Sequence, residues 1–163
     1  MTSRRNTLLG IGALTGILAG MRGLFGSSPA LAARAYEVTR IDAEWQKLLT
    51  PEQYRVLRKA GTERPYTSPL DKEKRAGVFG CAGCALPLFS SKTKFESGTG
   101  WPSFWQPMEK AVLEDADTTL FMKRTEVLCR RCGGHLGHVF DDGPQPTGLR
   151  YCMNGVAMNF TVA

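Results

Sequence analysis

The residues of this chain best suited to chemistry are five cysteines and two histidines, and their spacing sorts them. Cys81 with Cys84 and Cys129 with Cys132 make two CxxC pairs, each beside glycine where the backbone must turn, whereas Cys152 stands alone. Two such knuckles offer four thiolates to one tetrahedral zinc ion, the closed arrangement of a structural site. Two other readings compete: a pair of disulfides, or a single redox-active CxxC. A CxxC bridge closes so small a loop that it gains little from chain entropy. A redox CxxC follows a strand and opens a helix, and neither pair has a helical pattern after it. One structural zinc ion per chain is therefore the expectation. Residues 85 to 128 separate the pairs, more than in a simple zinc ribbon, so the domain should fold around the site.

His135 and His138 follow Cys132 closely and compete as ligands. Zinc takes four ligands and favours thiolates where they are available. With the cysteines filling the site, both histidines are left for other work, or are plain loop or core side chains. Cys152 sits in an alternating stretch, Leu149 to Asn154. As a strand, this places Arg150, Cys152 and Asn154 on one face and Leu149, Tyr151 and Met153 on the other. A guanidinium beside a thiol favours the nucleophilic thiolate, and the Asn154 amide is placed to bond a substrate or a histidine. The competing reading is an inert buried thiol, as free cysteines often are.

The elements that must position these residues follow from pattern. Ile41, Trp45, Leu48 and Leu49 make a helical stripe within Thr39 to Leu49. A second helix is marked by Thr50 as cap, Pro51 at the first position, Gln53 completing a capping box, and Gly61 as a stop. Both helices should cover a core. Glu63 to Lys74 is polar, carries Pro65 and Pro69, and reads as a connecting loop. After it come short apolar segments between Gly and Pro: 76–79, 86–90, 111–113, 118–128, 135–140, 149–153 and 156–162. Many short strands with turns between them predict a mainly β domain, a small antiparallel sheet or barrel.

The first residues have a different texture. Ser3, Arg4, Arg5 and Asn6 lead into an apolar, glycine-rich run from Thr7 to Met21, and Ala30, Leu31 and Ala32 form a small-x-small cleavage site. This resembles a bacterial twin-arginine export signal. The run is shorter than the roughly 20 apolar residues of a spanning helix; an uncleaved anchor or a disordered tail are the alternatives. Residues 1–32 are thus expected to engage the twin-arginine export machinery and deliver the protein to the periplasm or cell envelope. Residues 33–163 remain as one zinc-binding domain, helical over 33–75 and β over 76–163. Without Arg4, Arg5 and Arg22 the charge balance drops to 18 basic against 15 acidic residues. That excess is small and scattered, which argues against nucleic acid as a partner.

Several motifs together carry a resemblance: Ser97-Gly98-Thr99-Gly100-Trp101-Pro102-Ser103-Phe104, Gly134-His135-Leu136-Gly137-His138-Val139-Phe140, Asp142-Gly143-Pro144-Gln145-Pro146-Thr147-Gly148, and Arg150-Tyr151-Cys152 with Asn154. In this order, with both CxxC pairs, they resemble the B-type methionine-R-sulfoxide reductase family from about Thr39 to Val162. The resemblance implies a β-tent type core of antiparallel sheets around a zinc site of Cys81, Cys84, Cys129 and Cys132, with the N-terminal helices packed on it. It implies that Cys152 attacks the sulfur of a methionine R-sulfoxide, protein-bound or free, and is left as a sulfenic acid, the reversible first step of cysteine oxidation. By the same resemblance His138 is the proton donor, His135 and Asn154 orient it, Arg150 favours the thiolate, and Trp101 with Phe140 receives the S-methyl group. Strand period alone does not put His135 and His138 on one face; a turn or bulge near Gly137 is required.

The chain departs from many family members at one position. Where they carry a resolving cysteine just before Gly-Trp-Pro-Ser, this chain has Thr99. The resemblance then implies a one-cysteine variant whose sulfenic acid is reduced by an external thiol: thioredoxin-like, glutaredoxin-like or small. An alternative from another class is a zinc-stabilised β-fold binding module, with Trp101 and Phe140 as a recognition pocket and no turnover.

Overall fold

The computed structural model describes residues 34–117 and 124–163. The expected export signal over 1–32, and the beginning of the strand expected from Thr118, lie outside the described residues.

Two short helices come first. In α1 (Asp42–Leu48) the Ile41 N–H donates to the Glu44 carboxylate at 3.0 Å. In α2 (Pro51–Lys59) the expected box forms: the Gln53 N–H donates to Thr50 Oγ1, and the Thr50 N–H donates back to Gln53 Oε1. The helix ends at Lys59, with Ala60 as its cap in the left-handed region at φ 50°, directly before the expected stop at Gly61. The α1 stripe is only half buried. Trp45 and Leu49, one turn apart, face the core, whereas Ile41 precedes the first turn and Leu48 lies on the flank, both exposed.

The described residues form nine strands: β1 (Gly77–Cys81), β2 (Pro87–Ser90), β3 (Lys94–Phe95), β4 (Ser103–Phe104), β5 (Val112–Asp117), β6 (Arg124–Cys129), β7 (His135–Phe140), β8 (Arg150–Met153) and β9 (Met158–Val162). They make two antiparallel sheets, ordered β2-β1-β9 and β3-β4-β8-β7-β6-β5. The expected mainly β fold with covering helices is what forms. Two of its strands, β3 and β4, are two residues long, too short to leave a period in the sequence. β5 runs past the expected end at Leu113 to Asp117, and Gly155–Ala157 turns as a 3-10 helix before β9 begins.

The sheets meet through aromatic rings. Phe104 of β4 stacks on Phe89 of β2 at 4.4 Å and meets Phe79 of β1 edge-on at 4.9 Å, all three fully buried. Offset and edge-on pairs of this kind add stability beyond the area they bury. On β8 the alternation buries Tyr151 and Met153 on this side and turns Arg150 and Cys152 to the other. α2 lies against β7 and the 3-10 turn.

The stretch expected to be only a polar loop, Glu63 to Lys74, is corrected in two respects. Pro69–Lys72 forms a 3-10 turn, and Glu63 is 5% exposed. Its burial is possible because backbone N–H groups of Gly155 and Val156 donate to its carboxylate.

Candidate active site and metal centre

Cys81 ends β1 and Cys129 ends β6, so each knuckle grows from a different sheet. All four sulfurs lie within 4.8 Å of one another, with Cys81 to Cys132 at 3.7 Å and Cys84 to Cys129 at 3.5 Å. A disulfide would need about 2.05 Å. Four sulfurs about 2.3 Å from a central zinc ion sit about 3.8 Å apart in a tetrahedron. The donor set therefore fits a four-coordinate metal. Contacts among the thiols push Cys81 and Cys132 up in pKa and Cys84 and Cys129 down, since so close a group cannot ionise together without a cation. Backbone oxygens here are tied as well: the Arg58 guanidinium donates to Cys132 O and that of Arg131 to Cys84 O.

The second centre comes from sheet register. Cys152 is paired directly with Ser103 of β4 on one side and His138 of β7 on the other, and His138 is paired in turn with Glu126 of β6. Directly opposed residues share a face, so a row of Ser103, Cys152, His138 and Glu126 crosses the sheet away from the aromatic core. Gly137 makes this possible, because a Cβ there would strike the Cys152 carbonyl oxygen.

His135 joins the row through a bulge. Val127 pairs with Gly137 but Leu128 pairs with His135, so Leu136 is an extra residue on β7. The required irregularity thus exists one residue before Gly137, and it brings the two imidazoles to 5.4 Å, edge-on. Each ring is held by its own acid: His135 Nδ1 lies 2.6 Å from Glu126 Oε1, and His138 Nε2 lies 2.9 Å from Asp117 Oδ2.

Cys152, His138, Asn154, Trp101 and Phe140 line one cavity of about 130 Å³, joined by Thr62, Gly137 and Arg124. That is well below the ~300–1,000 Å³ of clefts for drug-sized ligands, and suits the tip of one side chain. His135 lies outside this lining, in the neighbouring cavity that shares His138.

Asn154 is placed at the pocket, but its amide is spent elsewhere. Its Nδ2 donates to Leu136 O at 3.0 Å, and its Oδ1 accepts the Glu63 N–H at 2.9 Å. Arg150 likewise donates through two nitrogens to Asp142, both at 2.8 Å, and stacks 4.4 Å over Phe140.

Burial pushes the Cys152 thiol up, while Thr99, Arg150 and Ser103 pull it back. The arginine acts in the expected direction, yet desolvation outweighs it and the resting group is a thiol. Burial also pushes His138 down, against the pull of Asp117, so its resting ring is neutral. Thr99 Oγ1 stands 3.8 Å from Cys152 Sγ and connects through Ser97 to Ser103 by contacts of 2.8 and 2.7 Å. Sequence reasoning missed Glu63, Asp117, Glu126, Thr62 and Arg124. No local signal marked them; Glu126 shares β6 with Arg124 and Thr125 and reads as an ordinary polar position there.

Residues 49–162 match the SelR domain. The chain is 56% identical over 126 residues to a protein of Leptospira interrogans named peptide methionine sulfoxide reductase MsrB, covering 77% of this chain and 96% of that one. Proteins of the same name from Methanosarcina barkeri and Pseudomonas putida are each 58% identical, over 124 and 118 residues; these cover 76% and 72% of this chain and 87% and 89% of theirs.

Proposed function

This chain belongs to the SelR domain family of MsrB peptide methionine sulfoxide reductases, and we propose that Cys152 is its nucleophile and methionine R-sulfoxide its substrate. It is an oxidoreductase that reduces methionine sulfoxide at the expense of thiols. The observation that carries the finer reading is the direct pairing of Cys152 with His138 in a side-chain-sized cavity walled by Trp101.

The S-methyl group lies against Trp101 and Phe140, where a soft sulfur and an aromatic face attract. Cys152 attacks the sulfoxide sulfur as a thiolate while His138 delivers one proton to the sulfoxide oxygen. The sulfur–oxygen bond breaks and the protonated oxygen passes to the Cys152 sulfur as the bond between the two sulfurs breaks, so methionine leaves and Cys152 becomes a sulfenic acid. Two external thiols then return Cys152 to the thiol, yielding their disulfide and water. Asp117 holds the His138 ring, and Glu126 holds His135. Thr99 stands beside Cys152, and the other four cysteines are gathered in their own cluster, so no second thiol of this chain serves as resolver. Cys81, Cys84, Cys129 and Cys132 hold zinc in this reading, which supplies a cross-link between the two sheets and no chemistry.

Turnover on separated R- and S-sulfoxides with a small dithiol tests this. The wild type reduces the R form, and Cys152→Ser abolishes turnover at unchanged zinc content and thermal unfolding. Turnover retained by Cys152→Ser, or confined to the S form, overturns it. A sulfenic-acid probe should label the oxidised enzyme, and a mass spectrum showing Cys152 in a disulfide with a cluster cysteine contradicts the one-cysteine scheme. Residues 1–32 support export by the twin-arginine route, with oxidised methionine of envelope proteins or free methionine sulfoxide as substrate. Fractionation that finds the protein only in the cytosol, residues 1–32 retained, refutes export.

A further inference from the structure

Glu63 belongs to none of the motifs, yet it touches both walls of the pocket and the turn that follows the nucleophile. Its N–H donates to Asn154 Oδ1 at 2.9 Å, and its carbonyl accepts the Trp101 indole N–H at 3.2 Å. Its carboxylate accepts two successive backbone N–H groups, from Gly155 at 2.6 Å and Val156 at 2.9 Å. Asn154 and Trp101 both line the cavity that holds Cys152. One buried residue thereby ties its own segment to two others distant in the chain, at Trp101 and at 154–156.

We propose that Glu63 is a positioning residue for sulfoxide reduction, a clamp that fixes Trp101 and Asn154 at the spacing the substrate requires. This rests on the reductase reading above. The backbone arms would serve for any residue at this position, so the specific part is the side chain, which anchors Glu63 to the turn after β8. Released from Gly155 and Val156, the segment is free to shift, and a displacement of about 1 Å near a reacting centre costs up to ~100-fold in rate.

The charge has a second consequence. Burial pushes the Glu63 carboxyl up in pKa, and the two N–H groups only partly restore it. An acid whose pKa is raised on folding favours the folded state in its protonated form, and that contribution is lost as pH rises through its titration. At neutral pH the ionised carboxylate is therefore less favourable in the folded protein than its protonated form would be.

The test is Glu63→Gln in the full chain, compared with wild type for thermal unfolding and steady-state kinetics on R-sulfoxide. Glutamine keeps the size but offers one acceptor and sets an NH₂ against the other N–H. At a temperature where the variant is folded, the clamp gives KM raised roughly tenfold, about 1.4 kcal/mol of lost positioning, and kcat less affected. Loss of folded protein alone lowers apparent kcat and leaves KM unchanged; that result, or wild-type kinetics, overturns the clamp. Should Glu63→Gln fail to fold, Glu63→Asp decides the matter: it keeps the charge but falls a methylene short, and an unchanged KM there also overturns the clamp. Wild-type protein without turnover sinks the reductase reading and the clamp together. Normal wild-type turnover beside an unchanged variant sinks the clamp alone.

Discussion

The cysteine cluster and the Cys152 pocket use the same atom in opposite settings. In the cluster, four sulfurs crowd within 4.8 Å at the ends of two strands from different sheets. In the pocket, one sulfur sits within β8, flanked across the sheet by a hydroxyl residue and an imidazole. The cluster could hold a metal ion, and a bound cation would relieve its crowding and make those thiolates unavailable as nucleophiles. The pocket leaves its thiol protonated by burial, with hydroxyls and a guanidinium ready to favour the anion when it forms. What a cysteine does here is set by its neighbours within a few ångströms.

The strongest way to break this contrast is to remove one sulfur from the cluster. Structural zinc sites contribute about 10–16 kcal/mol of folding free energy in small zinc-binding peptides, and the four cysteines here draw on strands of both sheets. Cys129→Ser should lose stoichiometric zinc by metal analysis and unfold or melt far below wild type. A Cys129→Ser variant that folds normally without zinc would mean the cluster is not the staple. Next in size is His138→Gln, which keeps the ring's volume roughly but cannot donate as an acid. General acid catalysis contributes ~10²–10⁴-fold, so kcat/KM should fall by that range while zinc content and melting stay at wild-type values. Equal turnover would remove His138 from the mechanism.

These two experiments also mark what the sequence could and could not convey. The cluster was legible because ligand spacing is local: two residues between paired cysteines fix a knuckle wherever it lies. Cys152 was legible by contrast with those pairs, and the α2 boundaries through Thr50 and Gln53, whose reciprocal bonds span three residues. Glu63 was not, because its carboxylate partners lie about ninety positions away, at Gly155 and Val156. Asp117 and Glu126 escaped notice for the same reason, as their meaning arises only when β5, β6 and β7 come into register. Asn154 was misjudged in its contacts rather than its place. Its alternation with Cys152 is real, yet the amide is consumed by Glu63 and Leu136, which no local pattern reveals.

A smaller effect separates the two kinds of thiol by pH. Cys152 is held above the ordinary thiol range and His138 below the ordinary imidazole range, so the reactive thiolate with imidazolium is a minor form. Raising the pH favours the thiolate and lowering it favours the protonated ring. The profile of kcat/KM should therefore be bell-shaped, and His138→Gln should remove its alkaline limb. Alkylation of Cys152 by iodoacetamide, which needs only the thiolate, should keep rising with pH beyond the point where turnover declines. Zinc-bound cysteines should stay unlabelled over the same range. Labelling of all five sulfurs at equal rates would erase the distinction between the two regions.

The smallest expected change lies at Thr99. Its hydroxyl stands 3.8 Å from Cys152 Sγ, a long contact even for sulfur, and is the first of the influences that pull the thiol back toward ionisation. Thr99→Val keeps the branched shape and removes the donor. A hydrogen bond contributes ~0.5–1.5 kcal/mol net, and this long one belongs at the low end, so alkylation of Cys152 near neutral pH should slow about two- to threefold. Ser97 sharpens the reading, because it bonds both Thr99 and Ser103, at 2.8 and 2.7 Å. With the Thr99 hydroxyl gone, the Ser97 hydroxyl keeps Ser103 and the backbone N–H of residue 99 as partners. If Thr99→Val alkylates at the wild-type rate, Thr99 has no part in setting the thiol's reactivity, and its contact with the sulfur is packing rather than chemistry.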